Sequence, residues 1–221
     1  MSVKNYASPN EQIKTIFSSM KIAFPNCNKK IMTLEFIEAC ADALCLLEKF
    51  GKVFAPVMND MRGNLKKLRN KFEVDMQEYK FVQDIILKEQ SEDELIVTEA
   101  VLWLKRGLQF ICKFFELIVS DAEKEQCTED ISQFIKTAYS HTLESHQGWL
   151  GMQLFNVLSK FAPSRKSLIR MATDSKQYNE EQVIKDMRRY VHGLSECLAS
   201  LTLFYIQQGL SLALNGEERF L

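Results

Sequence analysis

Asp60, Asn64 and Lys67 stand at i, i+4 and i+7 within the run Val53-Phe54-Ala55-Pro56-Val57-Met58-Asn59-Asp60-Met61-Arg62-Gly63-Asn64-Leu65-Lys66-Lys67. On a helix these three side chains share one face. A carboxylate, an amide and an ammonium in a row supply acceptors and donors of different kinds. Such a set suits a polyhydroxylated ligand better than a proton transfer. Phe54, Val57, Met61, Leu65 and Leu68 form an apolar stripe beside it. The polar row therefore runs along the edge of whatever the stripe buries, as a head-group site would at the mouth of an apolar pocket. Taken alone, the row accommodates any hydroxyl-rich or anionic ligand.

Other chemistries find little support. Neither G-x-S-x-G nor H-E-x-x-H occurs, so no nucleophile with an oriented base is evident. With Lys67 on its face, Asp60 reads as a hydrogen-bond acceptor and not as a general base. No catalytic residue, cofactor or metal is expected, and the protein reads as a non-enzyme. The six cysteines contain no C-x-x-C pair, and Cys40, Cys45 and Cys112 lie in apolar helical runs where a thiol acts as a small hydrophobe. The formal net charge of -1 shows no basic surplus, so no nucleic-acid partner is expected.

The elements that must hold the polar row are helical almost throughout. Four prolines and eight glycines interrupt 221 residues, and no hairpin dipeptide sits between alternating runs. Helices are expected over about 9–23, from Thr33 as an N-cap to Phe50 before Gly51, through the Asp60 row to about Phe72, over about 76–89, about 94–122, about 130–161, 164–172 and about 180–214. The helix from about Glu94 carries Trp103, Gly107, Phe110, Phe114 and Leu117 at i, i+4, i+7, i+11 and i+14 and is apolar nearly all round between Leu102 and Val119. It is expected at the centre of the fold. About eight helices with short connections, without repeat or Gly/Ser-rich linker, point to one all-α domain over residues 1–221.

Hydrophobic residues at 46% and charged residues at 26% are ordinary for a soluble protein. The opening MSVKNYASPNEQ has no apolar h-region, and no stretch approaches about 20 apolar residues. A reduced, cytoplasmic, monomeric protein is expected.

Four blocks, in order along the chain, resemble the glycolipid transfer protein family: Asp60-x-x-x-Asn64-x-x-Lys67, Trp103-Leu104-Lys105-Arg106-Gly107-Leu108, His146-Gln147-Gly148-Trp149, and Ala162-Pro163. Particular likeness is to the lipid-transfer domain of the four-phosphate adaptor proteins, through Phe54-Ala55-Pro56-Val57 and Thr98-Glu99-Ala100-Val101-Leu102-Trp103-Leu104-Lys105-Arg106-Gly107-Leu108. The resemblance implies a two-layer all-helical sandwich that carries one glycosphingolipid between membranes without chemistry. It implies that Asp60, Asn64 and Lys67 bind the first sugar and the ceramide amide, and that Trp103 lies under the sugar. An indole suits the apolar C–H face of a sugar ring independently of the family. The family's His-Gly-Trp is displaced here: either Gln147, in register, or His146 bonds the ceramide. Trp149 corresponds to the tryptophan used at the membrane surface, where contact should be transient and peripheral.

Ligand choice within the resemblance rests on Asn64 and Trp103. Relatives that carry ceramide phosphate resemble this chain but place Lys at the Asn position and arginines around the tryptophan position, so a neutral sugar is favoured. Arg106 is shared by both kinds, and Glu99, one turn before Trp103, can approach the sugar. Phe110, Phe114, Leu117 and Leu150 are candidates for the acyl-chain pocket. The alternatives are a ceramide-1-phosphate carrier, or a glycolipid sensor that binds without transferring.

Overall fold

The computed structural model describes residues 14–20, 24, 30–144, 161–173 and 179–210. Among them are seven α-helices: α1 Thr33–Lys49, α2 Ala55–Val74, α3 Val82–Ser91, α4 Ile96–Glu123, α5 Ser132–Thr142, α6 Arg165–Met171 and α7 Glu180–Gln207. A 3-10 turn, Lys52–Phe54, leads into α2. No strand forms among the described residues. Three isolated antiparallel bridges, Thr15–Thr173, Met32–Phe81 and Asp130–Ser164, tie loops together.

The all-round apolar character of α4 has the expected consequence. It packs against α2, α5 and α7, and buries most of its circumference, including Phe110, Phe114 and Phe115. Two aromatic groups fill the space around it. Phe54 meets Phe110 and Phe114 at centroid separations of 6.4 and 5.6 Å. Phe115 meets Phe17, Phe50 and Tyr190 at 5.4, 5.8 and 6.1 Å. Each such pair contributes about 0.5–1.5 kcal/mol beyond its area. Burial also pushes the Cys40 thiol up, and that of Cys112 to about 12, so both are inert small hydrophobes.

Several boundaries differ from the sequence reading. Residues 14–20 form a turn, not part of a helix over 9–23, because Thr15 bridges to Thr173 and Ile16 N–H donates to the Ala172 carbonyl at 2.9 Å. Thr33 is the first helical residue, not the N-cap. Its hydroxyl donates across the fold to the Tyr79 carbonyl at 2.7 Å, and Met32 occupies the cap position. The helix expected from 76 begins at Val82, since the Asp75 carboxylate accepts from the N–H groups of Gln77 and Glu78 and holds a turn there. Cys45 is exposed and not packed as expected. Gly51 does end α1: its φ of 102° lies in the left-handed region, which glycine adopts without steric cost. The α5 stretch runs only to Thr142, and the expected continuation over 145–160 lies outside the described residues. So does the Asn215-Gly216 stop.

Candidate functional site at the crossing of α2 and α4

The Asp60 row lies on α2 as its periodicity requires. Asn64 is buried, Asp60 half-buried and Lys67 exposed. The Asn64 amide donates to the Asp60 carboxylate at 3.0 Å and to the Asp60 backbone carbonyl at 3.1 Å. Both bonds use the Nδ2 group, so the Asp60 carboxylate is oriented by the residue one turn on. Lys67 lies two turns beyond Asp60, about 10 Å along the helix, at the exposed end of the row.

Trp103 lies on α4, half-buried. The Arg106 guanidinium stacks on its ring, 4.5 Å from the centroid, and is itself only 4% exposed. A cation on an indole face is favourable by about 0.5–2 kcal/mol, more when desolvated. Arg106 therefore covers one face of the indole. Glu99 is exposed one turn before.

What brings the two helices together is a missing side chain. A Cβ on Gly107 would lie 2.9 Å from Met61 Cγ and 3.0 Å from its Sδ. Met61 adjoins Asp60, and Gly107 lies one turn beyond Trp103. The close approach thus sets the carboxylate-amide pair and the indole at one crossing. Phe110 and Phe114 continue from this crossing into the core, fully buried, and Leu117 is half-buried behind them.

A residue that sequence reasoning passed over fixes the start of α4. Glu89 of α3 is 1% exposed. Its carboxylate accepts from Val97 N–H at 2.9 Å, from Thr98 N–H at 2.7 Å and from the Thr98 hydroxyl at 2.8 Å. An anion here satisfies donors that the helix end leaves unpaired and complements its dipole. The signal available in sequence was only an acid ahead of a helix start. Lys105, beside Arg106, is 8% exposed, with the Thr202 hydroxyl at 3.4 Å and the Tyr205 ring at 5.9 Å. Desolvation, then the Arg106 charge, brings its ammonium down to about 8. His146, Gln147, Trp149 and Leu150 lie outside the described residues.

Residues 31–174 match the glycolipid transfer protein family. The chain belongs to that family. It is 33% identical over 214 residues to human pleckstrin homology domain-containing family A member 8, across 90% of this chain and 40% of that protein. The chain thus spans well under half the length of this curated relative. It is 27% identical to a glycolipid transfer protein of Aureobasidium melanogenum, across 84% of this chain and 94% of that one. Among solved structures, the FAPP2 domain that selects simple glycosphingolipids with this fold is similar at 30% identity and a TM-score of 0.77, covering 89% of this chain and 97% of that chain. The two-layer helical sandwich is the family's architecture, and α1 to α7 are its elements here. The family consists of lipid transfer proteins. No helix among the described residues is long and apolar enough to cross a membrane.

Proposed function

We propose that the protein is a non-enzymatic carrier of a glycosphingolipid between membranes, binding the sugar and ceramide amide at the α2–α4 crossing. The observation that carries this reading is the Asp60 carboxylate oriented by Asn64 at 3.0 Å, on the helix that crosses beside Trp103. An oriented acceptor beside a half-buried indole suits a sugar by its chemistry. FAPP2, to which the chain is similar, selects simple glycosphingolipids. Lys67, exposed at the end of the row, adds a donor toward a head group, and His146 or Gln147 supplies the bond to the ceramide carbonyl.

The energetic task is large. At about 0.8 kcal/mol per CH₂, a two-chain lipid with roughly 30 such groups costs on the order of 20 kcal/mol to expose to water. The sleeve that replaces water is read along Phe110, Phe114, Leu117 and Leu150. Phe54 packs on the first two rings, so chain entry requires that α2 and α4 part at Phe54. No bond is made or broken. Residues 1–221 are read as one such domain, acting as a monomer in the cytoplasm and touching membranes transiently through Trp149.

The test is transfer of fluorescent glucosylceramide or galactosylceramide between vesicles. The wild type should accelerate transfer, and Asp60→Val should abolish glycolipid binding with little change in melting temperature. Binding without accelerated transfer would reassign the protein as a sensor. Equal handling of ceramide-1-phosphate would remove the sugar from the reading.

A further inference from the structure

The start of α7 carries a second polar site. Asp186, 5% exposed, accepts from the Thr15 hydroxyl at 2.8 Å and from the Gln182 amide at 2.9 Å, and Arg189 Nη1 lies 3.6 Å from it. These bonds, with the Thr15–Thr173 bridge, fasten segment 14–20 alongside α7. Between them is a pocket of about 520 Å³, whose cations are Lys14, Lys185 and Arg189. Ser18 and Ser19 form part of its wall, but their hydroxyls donate to the Thr15 carbonyl at 3.0 and 2.7 Å. The donors left for a ligand are therefore cationic.

The charge balance is uneven. Three cations face one carboxylate, and that carboxylate already accepts two hydrogen bonds. Lys14 and Lys185 are in no ion pair among the described residues. Lys185 and Arg189 stand at i and i+4 on one face, where like charges repel. All three cations are exposed. An exposed ion pair changes binding by at most about fivefold, so a monoanion would not be held. A ligand with several clustered negative charges would engage all three at once, and a pocket of this size admits a phosphorylated ring.

The site is separate from the α2–α4 crossing. Tyr205, near the end of α7, donates to the Thr98 carbonyl at 2.7 Å, whereas Arg188 pairs with Glu123 at 2.8 Å. The two helices are antiparallel, and the pocket lies at the far end of α4 from Trp103, about 30 Å along the helix. Every residue lining it falls outside the range 31–174 matched to the family.

We propose that the pocket between segment 14–20 and α7 binds a multiply phosphorylated anion of the inositol polyphosphate type, through Lys14, Lys185 and Arg189. The same chemistry could come from a soluble molecule or from a phosphoinositide head group. Isothermal titration with inositol 1,4,5-trisphosphate, with inorganic phosphate as reference, tests the first source. Flotation with phosphatidylcholine vesicles, with and without phosphatidylinositol 4,5-bisphosphate, tests the second. The trisphosphate, the bisphosphate vesicles or both should bind the full chain at least about tenfold more tightly than the reference, more weakly at higher salt. Lys185→Glu with Arg189→Glu should weaken that binding about tenfold or more, while melting temperature and glycolipid binding stay at wild-type values. Binding in one arm alone identifies the source and supports the site. Binding no tighter than the reference in both arms, or equal binding by the double variant, overturns it.

Discussion

Gly107 and Met61 are in contact across the α2–α4 crossing with no room for a Cβ between them, which would lie 2.9 Å from Met61 Cγ. The distance between the Asp60 row and Trp103 is set by this contact. Gly107→Ala is expected to cost about 1–3 kcal/mol by overpacking and to weaken glycolipid binding. Combined with Met61→Ala, it should cost less than the sum of the two single changes, since the clash partner is gone. Gly63, with nothing within 4 Å of its Cβ position, is the internal control. Gly63→Ala should stabilise by about 0.4–1 kcal/mol in urea unfolding.

Glu89 holds the α4 N-terminus from another helix. Glu89→Ala leaves Val97 and Thr98 N–H groups unpaired in a buried setting and is expected to cost about 2–4 kcal/mol. Glu89→Gln should fall between, keeping one acceptor without the charge. Amide exchange should speed up first at Val97 and Thr98. Uniform exchange along α4 would argue against the capping role.

Lys105 is buried and charged at neutral pH, held down to about 8 by desolvation. The unfolded chain has the ordinary lysine value near 10.4. Between about pH 8 and 10.4 the unfolded state binds more protons, so the contribution of Lys105 makes stability rise with pH over that window. Below pH 8 the burial penalty is present in full. Lys105→Met should raise stability at pH 7 by about 1 kcal/mol, and this advantage should shrink as pH rises from 8 toward 10. A gap that stays constant in thermal melts from pH 7 to 10 would reject the assignment.

Arg165 ties α6 to α4 and α7. Its Nη1 donates to Asp121 at 2.8 Å and its Nε to Glu180 at 2.7 Å, with both Asp121 and Arg165 buried. Arg165→Met leaves the buried Asp121 carboxylate without its counter-charge, held only by the Thr128 N–H and hydroxyl, and should cost about 3–5 kcal/mol. Adding Asp121→Asn should return part of that loss, as urea unfolding of the single and double variants would read.

The sequence by itself determined what local periodicity can encode. The i, i+4, i+7 row put Asp60, Asn64 and Lys67 on α2, and the stripe from Trp103 to Leu117 made α4 central. Side-chain spacing along one helix needs no partner to be read. The tertiary structure alone decided which helix meets which, and where. Thr33 bonds to Tyr79 and not to its own helix, Glu89 caps a helix it does not belong to, and Thr15 is drawn to Asp186 from 171 residues away. Lys105 is buried where α7 packs on α4, with the Thr202 hydroxyl at 3.4 Å. Such pairings depend on distances between elements, which are fixed by packing volume, as at Gly107 and Met61, and not by the order of residues within either helix.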